Sequence, residues 1–149
     1  MASGAASEHL RLVIVTPEGS VAKTDVTELV APGVLGEFGV LPGHLPFLSA
    51  IHAGVLSYVE GGATQVFAVG PGYVEVGAGD EVVVLTEAAV TPADIDVAAA
   101  EREEREAAAA LATLSPAEQA GEFAHQTALQ AWARARLNAA QRTRAAGAH

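Results

Sequence analysis

In Gly36-Glu37-Phe38-Gly39-Val40-Leu41-Pro42-Gly43-His44-Leu45-Pro46-Phe47-Leu48-Ser49-Ala50-Ile51, four turn-formers (Gly36, Gly39, Pro42 and Gly43) fall within eight residues, and large apolar side chains follow. Glycine supplies positive φ without a Cβ clash, and proline fixes φ near −65°. The segment therefore reads as tight reversals pinned to a core by Phe47, Leu48 and Ile51. Glu37 and His44 are expected on the turns, facing outward. Turn chemistry alone is satisfied by a plain connection between two strands. A backbone this constrained is also suited to displaying a fixed surface.

Outward from this stretch the pattern is β-rich on both sides. Toward the N-terminus, residues 9–15 are rich in Leu, Val and Ile, and Pro17-Glu18-Gly19 makes a turn. Residues 21–31 have strand composition, with a bulge or bend expected near Lys23-Thr24-Asp25. Toward the C-terminus, residues 55–60 and 64–69 flank Gly61-Gly62, a hairpin signal. Residues 73–76 and 81–86 follow, separated by Gly77-Ala78-Gly79-Asp80. Short strands punctuated at this spacing predict an all-β sandwich or barrel over residues 9–90.

The character changes at Thr91. Thr91-Pro92-Ala93-Asp94 reads as a helix start, with Thr as N-cap and Pro at the first helical position. Residues 93–111 hold no Gly or Pro and are rich in Ala and Glu. Ser115-Pro116-Ala117-Glu118 reads as a second capping box. It opens a helix to about Arg144, with Leu129, Trp132, Ala133, Leu137 and Ala140 as its apolar stripe. Two helices with a short link predict an antiparallel α-helical hairpin. Its seam is mostly Ala, and a buried methyl contributes only about 0.8 kcal/mol, so the helices are expected to hold weakly and to be able to open; the plainer reading is a permanently packed appendage. The chain thus divides into a disordered lead (1–8), a sandwich domain (9–90) and a C-terminal hairpin with a frayed end (91–149).

Composition narrows the function. The chain has 149 residues, a net charge of −10 and no Cys. That removes thiolate metal sites and Cys nucleophiles, and it fits a reducing compartment. An acidic chain is a poor partner for nucleic acid, whose phosphates need a basic stripe. The charge is uneven: residues 1–91 hold ten acidic groups and two basic ones, whereas beyond Glu122 there are four arginines and no acidic side chain. Different partners are expected for the two ends. No run of about 18 apolar residues reads as a membrane span, and the N-terminus does not read as a signal peptide. No Walker A, Gly-x-Ser-x-Gly or His-Glu-x-x-His motif occurs, and the glycines at 33, 36 and 39 do not make a dinucleotide fingerprint.

Taken together, the Gly36–Pro46 string, Ile51 and Gly54 after it, Gly70-Pro71-Gly72-Tyr73-Val74-Glu75-Val76 and the capped helical pair resemble the epsilon subunit family of bacterial F-type ATP synthases (delta in mitochondria). The likeness runs from Leu10 to about Gln141. It implies an all-β N-terminal sandwich of about ten strands followed by the hairpin, and a non-catalytic place in the rotor. The sandwich would bind the gamma subunit and stand on the membrane c-ring, at the cytoplasmic face of the bacterial cell membrane, coupling proton flow to ATP synthesis. The loop carrying Glu37, Phe38 and His44 would face the ring. The hairpin would regulate ATP hydrolysis by extending along gamma, bringing a basic helix with Arg134, Arg136, Arg142 and Arg144 toward the beta and alpha subunits. The plainer reading of those arginines is a solvated face.

Some members of that family bind ATP through a motif of Ile/Leu-Asp, two residues, then Arg-Ala. Here Ile95, Asp96 and Ala100 match, but Ala99 replaces the arginine. Two further basic positions correspond to His125 and Trp132. Arginine forks are the usual means of holding phosphate, so no cofactor is expected and ATP binding is expected to be poor. Two other classes compete with this reading. One is a non-enzymatic β-sandwich adaptor unrelated to the synthase. The other is a small metal-dependent enzyme using His44, His52 and Glu37, whose spacing matches no ligand pattern.

Overall fold

A computed structural model describes residues 8–147 and the side chains of residues 8–143. The lead expected at 1–8, apart from Glu8, residues 148–149 of the end expected to fray, and the side chain of Arg144 lie outside the described residues. The strands are β1 (Leu10–Thr16), β2 (Gly19–Val26), β3 (Glu28–Gly33), β4 (Gly36–Val40), β5 (Phe47–Ile51), β6 (Gly54–Glu60), β7 (Ala63–Val69), β8 (Gly72–Val76), β9 (Glu81–Thr86) and β10 (Ala89–Val90). A 3-10 turn (Pro92–Asp94) leads to the helices α1 (Val97–Thr113) and α2 (Ala120–Gly147).

Alternation builds the sandwich. Leu10, Leu12 and Ile14 of β1 point inward with Val74 and Val76 of β8 and Val82 and Val84 of β9. Leu29, Ala31, Leu56, Tyr58, Phe67 and Val69 meet them from the other layer. The strand order is β10-β7-β6-β3-β5-β8-β9-β1-β2, with β4 paired to β3. All neighbours are antiparallel except β1 and β9, which run parallel. The sheet passes between layers where Gly33 pairs with Ile51. At the opposite side the Thr27 N–H donates to the Val59 carbonyl at 2.9 Å, and the Thr24 hydroxyl donates to Glu60. Few edges are left open to other chains.

Several local expectations shift. The β1–β2 register slips between Ile14 and Val15, leaving Val21 unpaired, so the irregularity precedes Lys23. The run 21–31 is two strands, because the chain crosses toward the other layer at Thr27. Leu48 does not pin the Gly36–Ile51 stretch: it is 64% exposed, since strand alternation sends it outward between Phe47 and Ser49. The first α-helix starts at Val97, not Ala93. Ile95 is extended and packs with Val90 and Trp132 beside the second cluster, and Asp96 takes the cap, its carboxylate accepting from the Ala99 N–H at 3.0 Å. At the second cap, Ser115 Oγ accepts from the Glu118 N–H, but the reciprocal bond to the Ser115 N–H comes from Gln119, not Glu118.

The hairpin lies on the outer face of β6 and β7. Ala135 and Ala139 of α2 pack on Val55 and Ala68, with Ala53, Val66, Val90, Ile95 and Trp132 around them. Toward α1 the buried positions are Ala100, Ala107, Ala133 and Ala140. The cross-helix pairs Glu103–Arg136 and Glu104–Arg134 set an antiparallel register that brings Ala107 opposite Ala133 and Ala100 opposite Ala140. The buried stripe of α2 is therefore alanine. Leu129, expected in it, is 42% exposed, and Trp132 and Leu137 are half-buried.

Candidate functional site

Two loops and a strand form one end of the sandwich. Gly36, at φ +128°, reverses the chain from β3 into β4, a conformation that favours glycine. Val34 and Leu35 stand at this tip, Leu35 fully exposed. After β4, Gly43, at φ +87°, turns the chain again. Its N–H donates to the Asp80 carboxylate at 2.7 Å, and the His44 N–H donates to the Leu41 carbonyl at 3.1 Å. Asp80 ties this loop to the β8–β9 turn, because its own backbone carbonyl also accepts from the Arg11 N–H at 2.8 Å. The loop is thus braced from three strands.

The three residues assigned to this end have different placements. Glu37 is exposed on β4, opposite Pro32. His44 is exposed, with its ring centroid 4.8 Å from that of Phe47. Phe38 is half-buried and meets Phe47 edge-on at 5.4 Å. So Glu37 and His44 present polar groups, while Phe38 braces the strand behind them. His52, weighed as a metal ligand with His44 and Glu37, has its Nδ1 2.7 Å from the Ala53 carbonyl. Among the described residues no three His, Asp or Glu side chains come together as a metal site.

A second surface lies on the layer away from the helices. The registers place Ala50, Tyr73, Leu85 and Val15 in one row across β5, β8, β9 and β1, with Leu48, Glu75, Val83 and Val13 in the next. Leu48, Tyr73 and Leu85 are each more than half exposed. Composition hid this face, because outward apolar residues read the same as core residues along a strand.

The hairpin holds the third group. Arg134 Nε lies 3.2 Å from Glu104, Arg136 pairs with Glu103, and Arg142 lies 3.6 Å from Glu37. All three described arginines are thus beside carboxylates. The guanidinium of Arg136 also sits 5.3 Å over the Trp132 ring. The matching members of the nucleotide motif have local uses: Asp96 caps α1, Ile95 packs beside the sandwich and Ala100 is buried in the helix seam. Ala99 is half-buried and carries no charge to the surface, and His125 is exposed.

The family model of the ATP synthase delta/epsilon chain β-sandwich domain matches residues 9–92. An ATP synthase epsilon chain 2 of Syntrophotalea carbinolica is 46% identical over 112 residues, 75% of this chain and 80% of that one. An ATP synthase epsilon chain of Geotalea uraniireducens is 44% identical over 110 residues, 74% and 79% of the two chains. Among solved structures, a chain of the Euglena gracilis mitochondrial ATP synthase superimposes with a TM-score of 0.79 at 21% identity, covering 95% of this chain and 86% of that one. A chain of the Tetrahymena thermophila mitochondrial ATP synthase central stalk and c-ring gives 0.64 at 15% identity, covering 92% and 99%. At these identities the two structures speak for the fold.

Proposed function

The chain belongs to the ATP synthase delta/epsilon chain family, as an epsilon subunit, and from that premise we propose that it is a non-catalytic rotor piece gripping gamma with one face and the ring with one end. The carrying observation is the one-sided cover of the sandwich. The outer face of β6 and β7 is occupied by α2, whereas the Leu48, Tyr73 and Leu85 face is bare. A large exposed apolar patch on a small acidic protein fits a stable protein partner. On this reading that partner is gamma. The braced Glu37–His44 end stands on the c-ring, at the cytoplasmic face of the bacterial membrane, and transmits proton-driven rotation to ATP synthesis. The adaptor unrelated to the synthase gives way to the family match.

The hairpin acts as a regulator of hydrolysis. Arg134, Arg136 and Arg142 pair with Glu104, Glu103 and Glu37 while it lies on the sandwich. Opening the alanine seam breaks these pairs and frees a basic helix for acidic segments of the beta and alpha subunits. The test is ATPase activity of the catalytic complex lacking this subunit, titrated with the full chain and with a chain ending at Val90. Suppression by the full chain alone makes the hairpin a brake. If both bind and neither suppresses, the protein is a coupling wedge and the arginines are a solvated face.

Nucleotide does not control this hairpin. Ala99, His125 and Trp132 leave the motif without the cations that phosphates need. Isothermal titration of the full chain with ATP is expected to show no sub-millimolar binding, and sub-millimolar affinity would overturn this part of the reading.

A further inference from the structure

The braced end and the hairpin share one carboxylate. Glu37 stands on β4 and faces the C-terminal part of α2, its Oε2 3.6 Å from Arg142 Nη2. The pair borders a groove of about 830 Å³ between sandwich and α2, lined also by Pro32, His52, Asn138 and Gln141. Both side chains are about half exposed, so the attraction is screened by solvent and salt. Its leverage comes from its position. Docking of α2 rests on Ala135 and Ala139 over Val55 and Ala68, with the half-buried Trp132 beside them, and beyond Ala139 no described α2 side chain joins this cluster. Arg142 lies about one turn beyond Ala139, past the last described α2 residue packed on the sandwich cluster. Arg134 and Arg136 are held within the hairpin; Arg142 is held by the sandwich.

We propose that Glu37–Arg142 is a latch. The carboxylate of the braced end ties down the far end of α2, and undocking of the hairpin begins when this pair parts. The geometry is independent of the function proposed above, but the consequence rests on that reading: a basic group beneath the Glu37 end competes with Arg142 for one carboxylate. Contact with the ring and release of the hairpin are then coupled through a single side chain.

Amide hydrogen exchange on the full chain, free in solution, tests the latch. Glu37→Arg or Arg142→Glu each sets like charges together and is expected to speed exchange across residues 135–143 by about three- to ten-fold, and Glu37→Gln by about two-fold. The exchanged pair, Glu37→Arg with Arg142→Glu, is expected to restore the original rates. Exchange within β1 and β9, in the layer away from the helices, serves as the measure of an intact sandwich. Unchanged rates in the single variants, or rates that stay raised in the exchanged pair, overturn the latch. The exchanged pair also separates the latch from the reading beneath it, because it keeps the hairpin docked but reverses the charge presented to the ring. Loss of proton pumping in the assembled complex with normal exchange supports the shared role of Glu37. Full pumping with normal exchange overturns that shared role and leaves the ion pair as a local contact.

Discussion

The sandwich and the hairpin are built from the same apolar fraction of the sequence in opposite ways. The sandwich buries Leu, Ile, Val, Tyr and Phe from two layers, so each side chain contributes a large area and touches neighbours distant in sequence. The hairpin buries alanines, both between its helices and against the sandwich. An alanine seam brings backbones close and holds them with little energy, since only a methyl is withdrawn from water per residue. The difference is that one half is held by large side chains meeting across two layers and the other mainly by methyl groups along a seam.

The largest expected effect tests the first half. Leu12→Ala removes a fully buried side chain from the sandwich centre and is expected to cost about 2–5 kcal/mol in urea unfolding. A cost below 1 kcal/mol would mean the two regions are held alike. Next, one substitution type should act with opposite signs in the two regions. In β8 a Cβ on Gly72 would stand 1.9 Å from the Leu85 carbonyl oxygen. Gly72→Ala therefore forces β8 from β9, and an expected loss of about 1–3 kcal/mol is read from the same unfolding curve. In α2 nothing lies within 4 Å of a Cβ on Gly121. Gly121→Ala should stabilise α2 by about 0.5–1 kcal/mol, seen as slower amide exchange in its first turns. Equal signs at the two glycines would erase the contrast.

The smallest effect is a pH dependence confined to the sandwich. Burial, with a lesser push from Glu60, raises the Tyr58 phenol above its ordinary value of 10.0. The unfolded chain then loses this proton first as pH rises, so stability falls from about pH 10 upward, and below that the group adds no pH dependence. Tyr58→Phe should flatten the decline in urea midpoint between about pH 9 and pH 11 without altering exchange in the hairpin. An unchanged slope would assign the alkaline loss to other groups.

Much of the fold was legible because local chemistry carried it. The glycines at 36 and 43 mark turns that demand positive φ, Gly61-Gly62 joins β6 to β7, and Ser115 caps the turn that opens α2. The string around Glu37 and His44 was equally local, and Glu37 and His44 are exposed beside its turns, as turn chemistry led one to expect. The errors came where two local signals competed. Thr91-Pro92 reads as a helix start but opens only a 3-10 turn; Ile95 is extended and packs beside the sandwich, and Asp96 caps the α-helix. Glu103 and Glu104 of the charged run 101–106 reach across to α2, a pairing that spacing along α1 does not encode.

By itself, then, the sequence determined the strand runs, their punctuation, the alanine-rich helical pair and the family, because alternation, turn chemistry and motif are written in neighbouring residues. Only the tertiary structure decided the parallel pairing of β1 with β9, the bare Leu48–Tyr73–Leu85 face, which alanines form the seams, and the meeting of Glu37 with Arg142. Each of these joins residues far apart along the chain. Their energies are set by register and approach, which no local pattern encodes.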